Sequence, residues 1–203
     1  MYAIKTIEYR TFTIKVYYDE NPTSPREWDN LGTIYSNHRY YDFDGHKIEE
    51  LIDSVGGDIY DSVIPWDLIA EKYYYRKVWM YDHSGVSVCS GERNPYDMWD
   101  SGLYGVIVCE KEKAKKEYKD FDYNCVLLRE RVEKQLDAEI DVLDEYCRGE
   151  VYGFVITKGE DKIDSCFGFY GNSGLEDAIM DAKSVVDNEI FWKYKDTLFP
   201  EAE

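Results

Sequence analysis

The chain opens on a partly alternating run of β-branched and aromatic residues, YAIKTIEYRTFTIKVYYDE. The pattern predicts two strands in a hairpin turning near Tyr9 and Arg10. Residues 21–30 hold two prolines and read as loop, followed by a strand over Thr33–Ser36. Asp44-Gly45 ends a polar turn, and His46–Ser54 predicts a short helix stopped by Gly56-Gly57. Pro65-Trp66-Asp67 begins a second short helix that runs to Lys72. YYYRKVWMYDH and GVSVCSG then predict a hairpin with Ser84-Gly85 between its arms. A loop leads into a strand over Tyr104–Cys109, and Lys111–Lys119 reads as a lysine-rich helix. EVYGFVITKGEDKIDSCFGFYG reads as two strands joined at Gly159–Asp161. Leu175–Lys195 closes the pattern as a helix, entered through Asn172-Ser173-Gly174 and ended by Pro200.

The strongest helical signal is Asn124–Arg148, with Gly149 at the position after its end. At ~100° per residue, Cys125, Leu128, Val132, Leu136, Ile140, Leu143 and Cys147 share a sector of about 120°. Glu130, Glu133, Asp137, Asp141 and Asp144 share another, so carboxylates repeat every ~4.5 to 6 Å along the axis. Phosphates along one strand of a duplex are spaced only slightly wider, so such a row could imitate a nucleic-acid backbone; a single helix more commonly carries such a row as a solvated face. The strands come in antiparallel-looking pairs with helices interspersed. The expected fold is therefore α+β: a mainly antiparallel sheet, one long amphipathic helix over about 124–148, and a C-terminal helix. No linker forces a boundary, and residues 1–203 read as a single domain.

Charge changes this picture most. Forty-two acidic residues against 24 basic give a formal net charge of −18. That balance argues against direct binding of nucleic acid, whose affinity comes mainly from lysine and arginine, and against an anionic membrane surface. It permits a basic partner, whose encounter it would speed; the plainer alternative is that acidity serves solubility alone. The acids are uneven. Residues 40–71 hold nine (Asp42, Asp44, Glu49, Glu50, Asp53, Asp58, Asp61, Asp67, Glu71) against Lys47 alone. Residues 110–134 hold eight basic and seven acidic side chains, so the remainder carries about −19.

Candidate chemistry is thin. No apolar run approaches the ~18 residues of a membrane span, and MYAIKTIEYR lacks a signal-peptide core. Five widely spaced cysteines without a C-x-x-C pair suit reduced thiols, so the expected location is cytoplasmic. DFDGH at 42–46 resembles the start of a calcium loop, but the twelfth position is Asp53 rather than glutamate, and it reads as a turn capped by carboxylates. YDHSG sets Asp82, His83 and Ser84 side by side, where neighbours on a strand cannot by themselves form a triad. His83 working with Asp100 is the catalytic alternative. The glycine-rich pieces WDSGLYG and GFYGNSG lack a phosphate-loop lysine. No cofactor, metal or catalytic residue is expected.

One phrase occurs twice: ENPTSPREWDN at 20–30 and RNPYDMWD at 93–100 both carry Asn-Pro, then Trp-Asp. The shared parts predict aspartates, Asp29 and Asp100, that cap the turns after them, and tryptophans, Trp28 and Trp99, that plug strand ends. SPREWDNLGT (24–33), YDHSG (81–85), WDSGLYG (99–105), EVYGF (150–154) and DSCFGFYG (164–171) together resemble a family of uncharacterised proteins from phages and mobile elements. The chain departs from that pattern at Glu150, after Gly149, and at Phe167, where tryptophan is common. The resemblance implies an accessory gene product acting inside a bacterium and transfers no catalytic residue. By analogy of context, the expected function is inhibition of a host defence complex, a CRISPR effector or restriction enzyme, through its basic nucleic-acid-binding surface. The expected contact residues are Glu130, Glu133, Asp137, Asp141 and Asp144 on the long helix, and Asp42, Asp44, Glu49, Glu50 and Asp53. A small hydrolase or nucleotide-processing enzyme centred on YDHSG, and a non-catalytic adaptor, are the alternatives.

Overall fold

The computed structural model describes residues 2–58, 64–96, 99–119, 125–171 and 173–198, with side chains to residue 193. Asp61, Asn124, Asn172 and Pro200, which carried sequence expectations, lie outside the described residues. Along the chain run β1 (Lys5–Tyr9), β2 (Phe12–Tyr18), a 3-10 turn (Pro25–Glu27), β3 (Thr33–Ser36) and β4 (His46–Lys47). Then come α1 (Ile48–Ser54), α2 (Trp66–Lys72), β5 (Tyr73–Asp82), β6 (Val86–Ser90) and β7 (Ser101–Glu110). The last elements are α3 (Lys111–Glu117), α4 (Cys125–Cys147), β8 (Val151–Lys158), β9 (Asp161–Tyr170) and α5 (Gly174–Leu198). The fold is α+β with two mostly antiparallel sheets, a long helix α4 and a C-terminal helix α5.

The chain packs as two compact units, one of Met1–Thr23 with Gly149–Glu203 and one of Ser24–Arg148. The first joins the two chain ends. Its sheet has the order β1-β2-β8-β9, antiparallel throughout. Alternation along β2 sends Phe12, Ile14 and Val16 to one face, where they bury with Phe154 and Ile156 of β8 against Ala178, Ala182 and Val186 of α5. Gly153 and Phe167 stand opposite each other across β8 and β9, and the Phe167 ring lies where a Cβ on residue 153 would go, 2.1 Å from its nearest atom. The VYGF and FGFYG segments are thus two halves of one cross-strand contact, a glycine covered by an aromatic ring.

The second unit is a five-stranded sheet, β4-β3-β7-β5-β6, with helices on both faces. Among the described residues only the β3–β4 pair is parallel, and it takes His46 and Lys47, so α1 begins two residues later than the pattern predicted. Leu128, Val132, Leu136, Ile140 and Leu143 of α4 bury against Ile34, Val78, Met80 and Ile107 on one face. Ile48, Leu51 and Ile52 of α1 and Ile69 of α2 bury against Val106 and Val108 on the other. Strand β7 is covered on both sides, which is why LYGVIVC reads as a continuous apolar run rather than an alternating one. At Gly105 the β3 backbone approaches so closely that an added Cβ would lie 2.1 Å from the Tyr35 carbonyl oxygen. The ends of the apolar sector on α4 depart from expectation: Cys125 is exposed and Cys147 half-buried.

Candidate functional site

The acidic row of α4 does not stand as one solvated face. Strand β6 is an edge strand, and edge strands carry outward amides that need a partner. Asp144 supplies one: its Oδ1 accepts from the Val88 amide at 2.8 Å and from Ser87 Oγ at 2.6 Å, and Oδ2 lies 3.1 Å from Arg148 Nε. Asp137 accepts from Arg76 Nε at 2.8 Å and from Ser90 Oγ. Both are therefore half-buried seams between α4 and the β5–β6 hairpin. Asp141 lies between them, its carboxyl raised above the ordinary range by partial burial and then by the charges of Asp137 and Asp144. Glu133 pairs with Arg129 at 2.6 Å, and Glu130 is exposed.

A second set of charges is buried outright. Arg26, 3% exposed, forks onto Asp44 through Nε and Nη2, both at 2.8 Å. Its Nη1 reaches Glu139 Oε2 at 3.2 Å, and Nη2 also donates to the Gly32 carbonyl at 2.8 Å. Glu139 accepts the Leu31 amide at 2.8 Å and the Gly32 amide at 3.1 Å, while Asp44 accepts the Ile34 amide at 2.7 Å. The SPREWDNLGT segment is thus wired to α4 and to the DFDGH turn by one arginine and two carboxylates. This places Asp44 inside the protein rather than on a docking face. Glu139 was missed in the acidic count because it falls within the apolar sector of α4, and an acid in that sector was the available signal.

The doubled phrase is held by other residues than its aspartates. Asn30 Nδ2 donates to the Pro25 and Trp28 carbonyls, at 2.9 and 3.0 Å, and Ser24 Oγ accepts the Arg26 amide. In the second copy Asn94 Oδ1 accepts the Tyr96 amide at 3.0 Å while Nδ2 donates to Ser101 Oγ. An asparagine both donates and accepts, so it can close such turns from either side; an aspartate only accepts. Asp29 is exposed, and Trp28 and Trp99 do not plug strand ends: they are 47% and 103% exposed.

Asp100 instead faces His83, whose Nδ1 lies 3.1 Å from Oδ2, while the Asp82 amide donates to the Asp100 carbonyl at 3.0 Å. The structure therefore brings the sequence-selected histidine and aspartate together at the tip of the β5–β6 hairpin. Their side chains are 63% and 47% exposed. Among the described residues no three His, Cys, Asp or Glu side chains are grouped to hold a metal ion. Burial pushes the Cys109 and Cys147 thiols up to about 11 and about 12, which removes them as nucleophiles.

What stays on the surface is the 42–53 tract. Asp42 closes its turn by accepting the Gly45 amide at 2.8 Å and pairs with Lys47 at 2.7 Å, which holds its carboxyl below the usual range. Glu49, Glu50 and Asp53 occupy the exposed side of α1, opposite buried Leu51 and Ile52, with Glu50 3.3 Å from His46 Nδ1. Asp58, Asp67 and Glu71 are exposed as well. No family model, curated protein or solved structure matches the chain. No described helix is long and apolar enough to cross a membrane.

Proposed function

We propose that the chain is a non-catalytic binding protein of a phage or mobile element. Acting in the host cytoplasm, it docks its acidic α1 surface onto a basic, nucleic-acid-binding surface of a defence complex, a CRISPR effector or restriction enzyme. The observation that carries this reading is the fate of the acids. The α4 carboxylates Asp137 and Asp144 are half-buried against β5 and β6, whereas Glu49, Glu50 and Asp53 are exposed on one short helix, with exposed Asp42, paired to Lys47, beside them. A net charge of −18 supports fast, salt-sensitive encounter with a cationic groove. The docking residues are then Asp42, Glu49, Glu50 and Asp53, without Asp44.

Inhibition of purified CRISPR and restriction nucleases, measured at low and high salt, tests the proposal. The triple variant E49Q/E50Q/D53N loses three solvent-exposed charges and should weaken inhibition roughly 3- to 160-fold, at ~0.2–1 kcal/mol for each pair lost. Unchanged inhibition by that variant, or no inhibition of any nuclease in the panel, would overturn it. A second reading, hydrolysis or nucleotide processing at His83, rests on the 3.1 Å approach of Asp100. It requires a turnover that His83→Ala abolishes.

A further inference from the structure

The start of β5, helix α3 and the first turns of α4 enclose a groove of about 730 Å³ in the Ser24–Arg148 unit. Its walls include Tyr74, Tyr75 and Val126, and its cations are Lys111, Lys115 and Arg129. We propose that this groove binds a small aromatic anion of the nucleoside monophosphate class, independently of the acidic surface on α1.

The volume lies in the range of small-molecule sites, and Tyr74 with Val126 offers a flat ring an aromatic and aliphatic wall, while the Tyr75 ring is stacked on Trp66 at 5.4 Å. Tyr74 and Tyr75 have their hydroxyls raised above the ordinary range, chiefly by burial, so both stay protonated and able to donate. Lys111 is fixed, donating to the Ala70 and Glu71 carbonyls at 2.6 and 3.0 Å with its ammonium 5.7 Å from the Tyr74 ring centre. Arg129 and Lys115 are held differently. Arg129, itself exposed, pairs with half-buried Glu133 one turn on, and exposed Lys115 pairs with Glu112 one turn back, each within a single helix. Such a pair contributes only ~0.2–0.5 kcal/mol, so re-pairing Arg129 to a phosphate costs little.

Location adds a reason. Seven of the lining residues belong to the 110–134 segment, five of them charged (Lys111, Lys115, Arg129, Glu130 and Glu133), in a stretch where eight basic residues face seven acidic ones. Glu130 and Glu133 on the same wall, with about −19 elsewhere on the chain, oppose a polyanion. A single phosphate meeting Arg129 and Lys115 at short range escapes most of that repulsion through screening, whereas a nucleic-acid strand accumulates it. The arrangement thus selects one anionic group attached to a ring.

The test is a calorimetric and NMR titration of the full chain with adenosine 5′-monophosphate and uridine 5′-monophosphate. Adenosine, inorganic phosphate and 4-hydroxybenzoate form the comparison arms. Saturable 1:1 binding of the monophosphates with Kd below ~1 mM is expected, with adenosine and phosphate each at least ~10-fold weaker. Arg129→Ala should weaken binding about tenfold, and Val126→Trp, which fills the groove from an exposed position, should abolish it. Circular dichroism verifies that both variants fold. No saturation by ~5 mM, phosphate alone binding as tightly as the nucleotide, or both variants binding like the parent overturns the proposal. Preference for 4-hydroxybenzoate over both nucleotides overturns the nucleotide assignment.

Discussion

Arg26 ties Asp44, Glu139 and the Gly32 carbonyl together inside the second unit. Arg26→Met keeps much of the side-chain volume and removes the charge, leaving Asp44 and Glu139 as buried carboxylates, their side chains 11% and 6% exposed. Breaking one partner out of a buried ionic group costs about 3–5 kcal/mol, because the charge left behind has neither water nor counter-ion. At ~1.4 kcal/mol per tenfold, folding weakens between roughly a hundredfold and several thousandfold. Urea unfolding followed by tryptophan fluorescence reads this directly, since Trp28, Trp66, Trp79 and Trp99 all lie in the Ser24–Arg148 unit. With a slope near 2 kcal/mol/M the midpoint should fall by ~1.5–2.5 M. Adding Glu139→Gln to R26M should recover part of the loss by neutralising one stranded charge, giving a coupling of at least ~1 kcal/mol in the double-mutant cycle. The exposed pair supplies a control: Arg129→Ala should cost no more than ~0.5 kcal/mol. An R26M midpoint within experimental error of the parent, or additive single and double variants, would falsify the network as a stability element.

Gly153→Ala places a methyl group inside the Phe167 ring and should destabilise the first unit by ~1–3 kcal/mol, read by thermal melting; Phe167→Ala in the same chain should relieve much of that strain. Asp141→Asn tests the seam between α4 and β6. Because Asp141 has a raised pKa, the native chain holds that proton more tightly than the unfolded one, so parent stability falls as pH rises from the ordinary carboxylate value through the raised one. The variant should match the parent at acid pH, where both forms are neutral, and exceed it at neutral pH by ~0.2–0.5 kcal/mol, the like-charge cost at helical spacing. Equal stability at every pH in urea titrations would refute the repulsion.

The sequence by itself determined the run of most elements and the apolar side of α4. The five core residues Leu128 to Leu143, the β3 boundaries and the β8–β9 hairpin followed from periodicity and turn residues. Burial is non-directional, so an apolar stripe needs only some opposing surface and its pattern can be read locally. Tertiary structure alone decided that β2 pairs with β8, strands from opposite ends of the chain, and where each charge goes. Asp137 and Glu133 belong to one sector of α4, yet one meets Arg76 at a strand edge and the other its own helix neighbour. Glu139 finds its amides 107 and 108 residues away in sequence. A hydrogen bond or ion pair depends on the distance and angle of one named partner, and no local pattern encodes a partner that far along the chain.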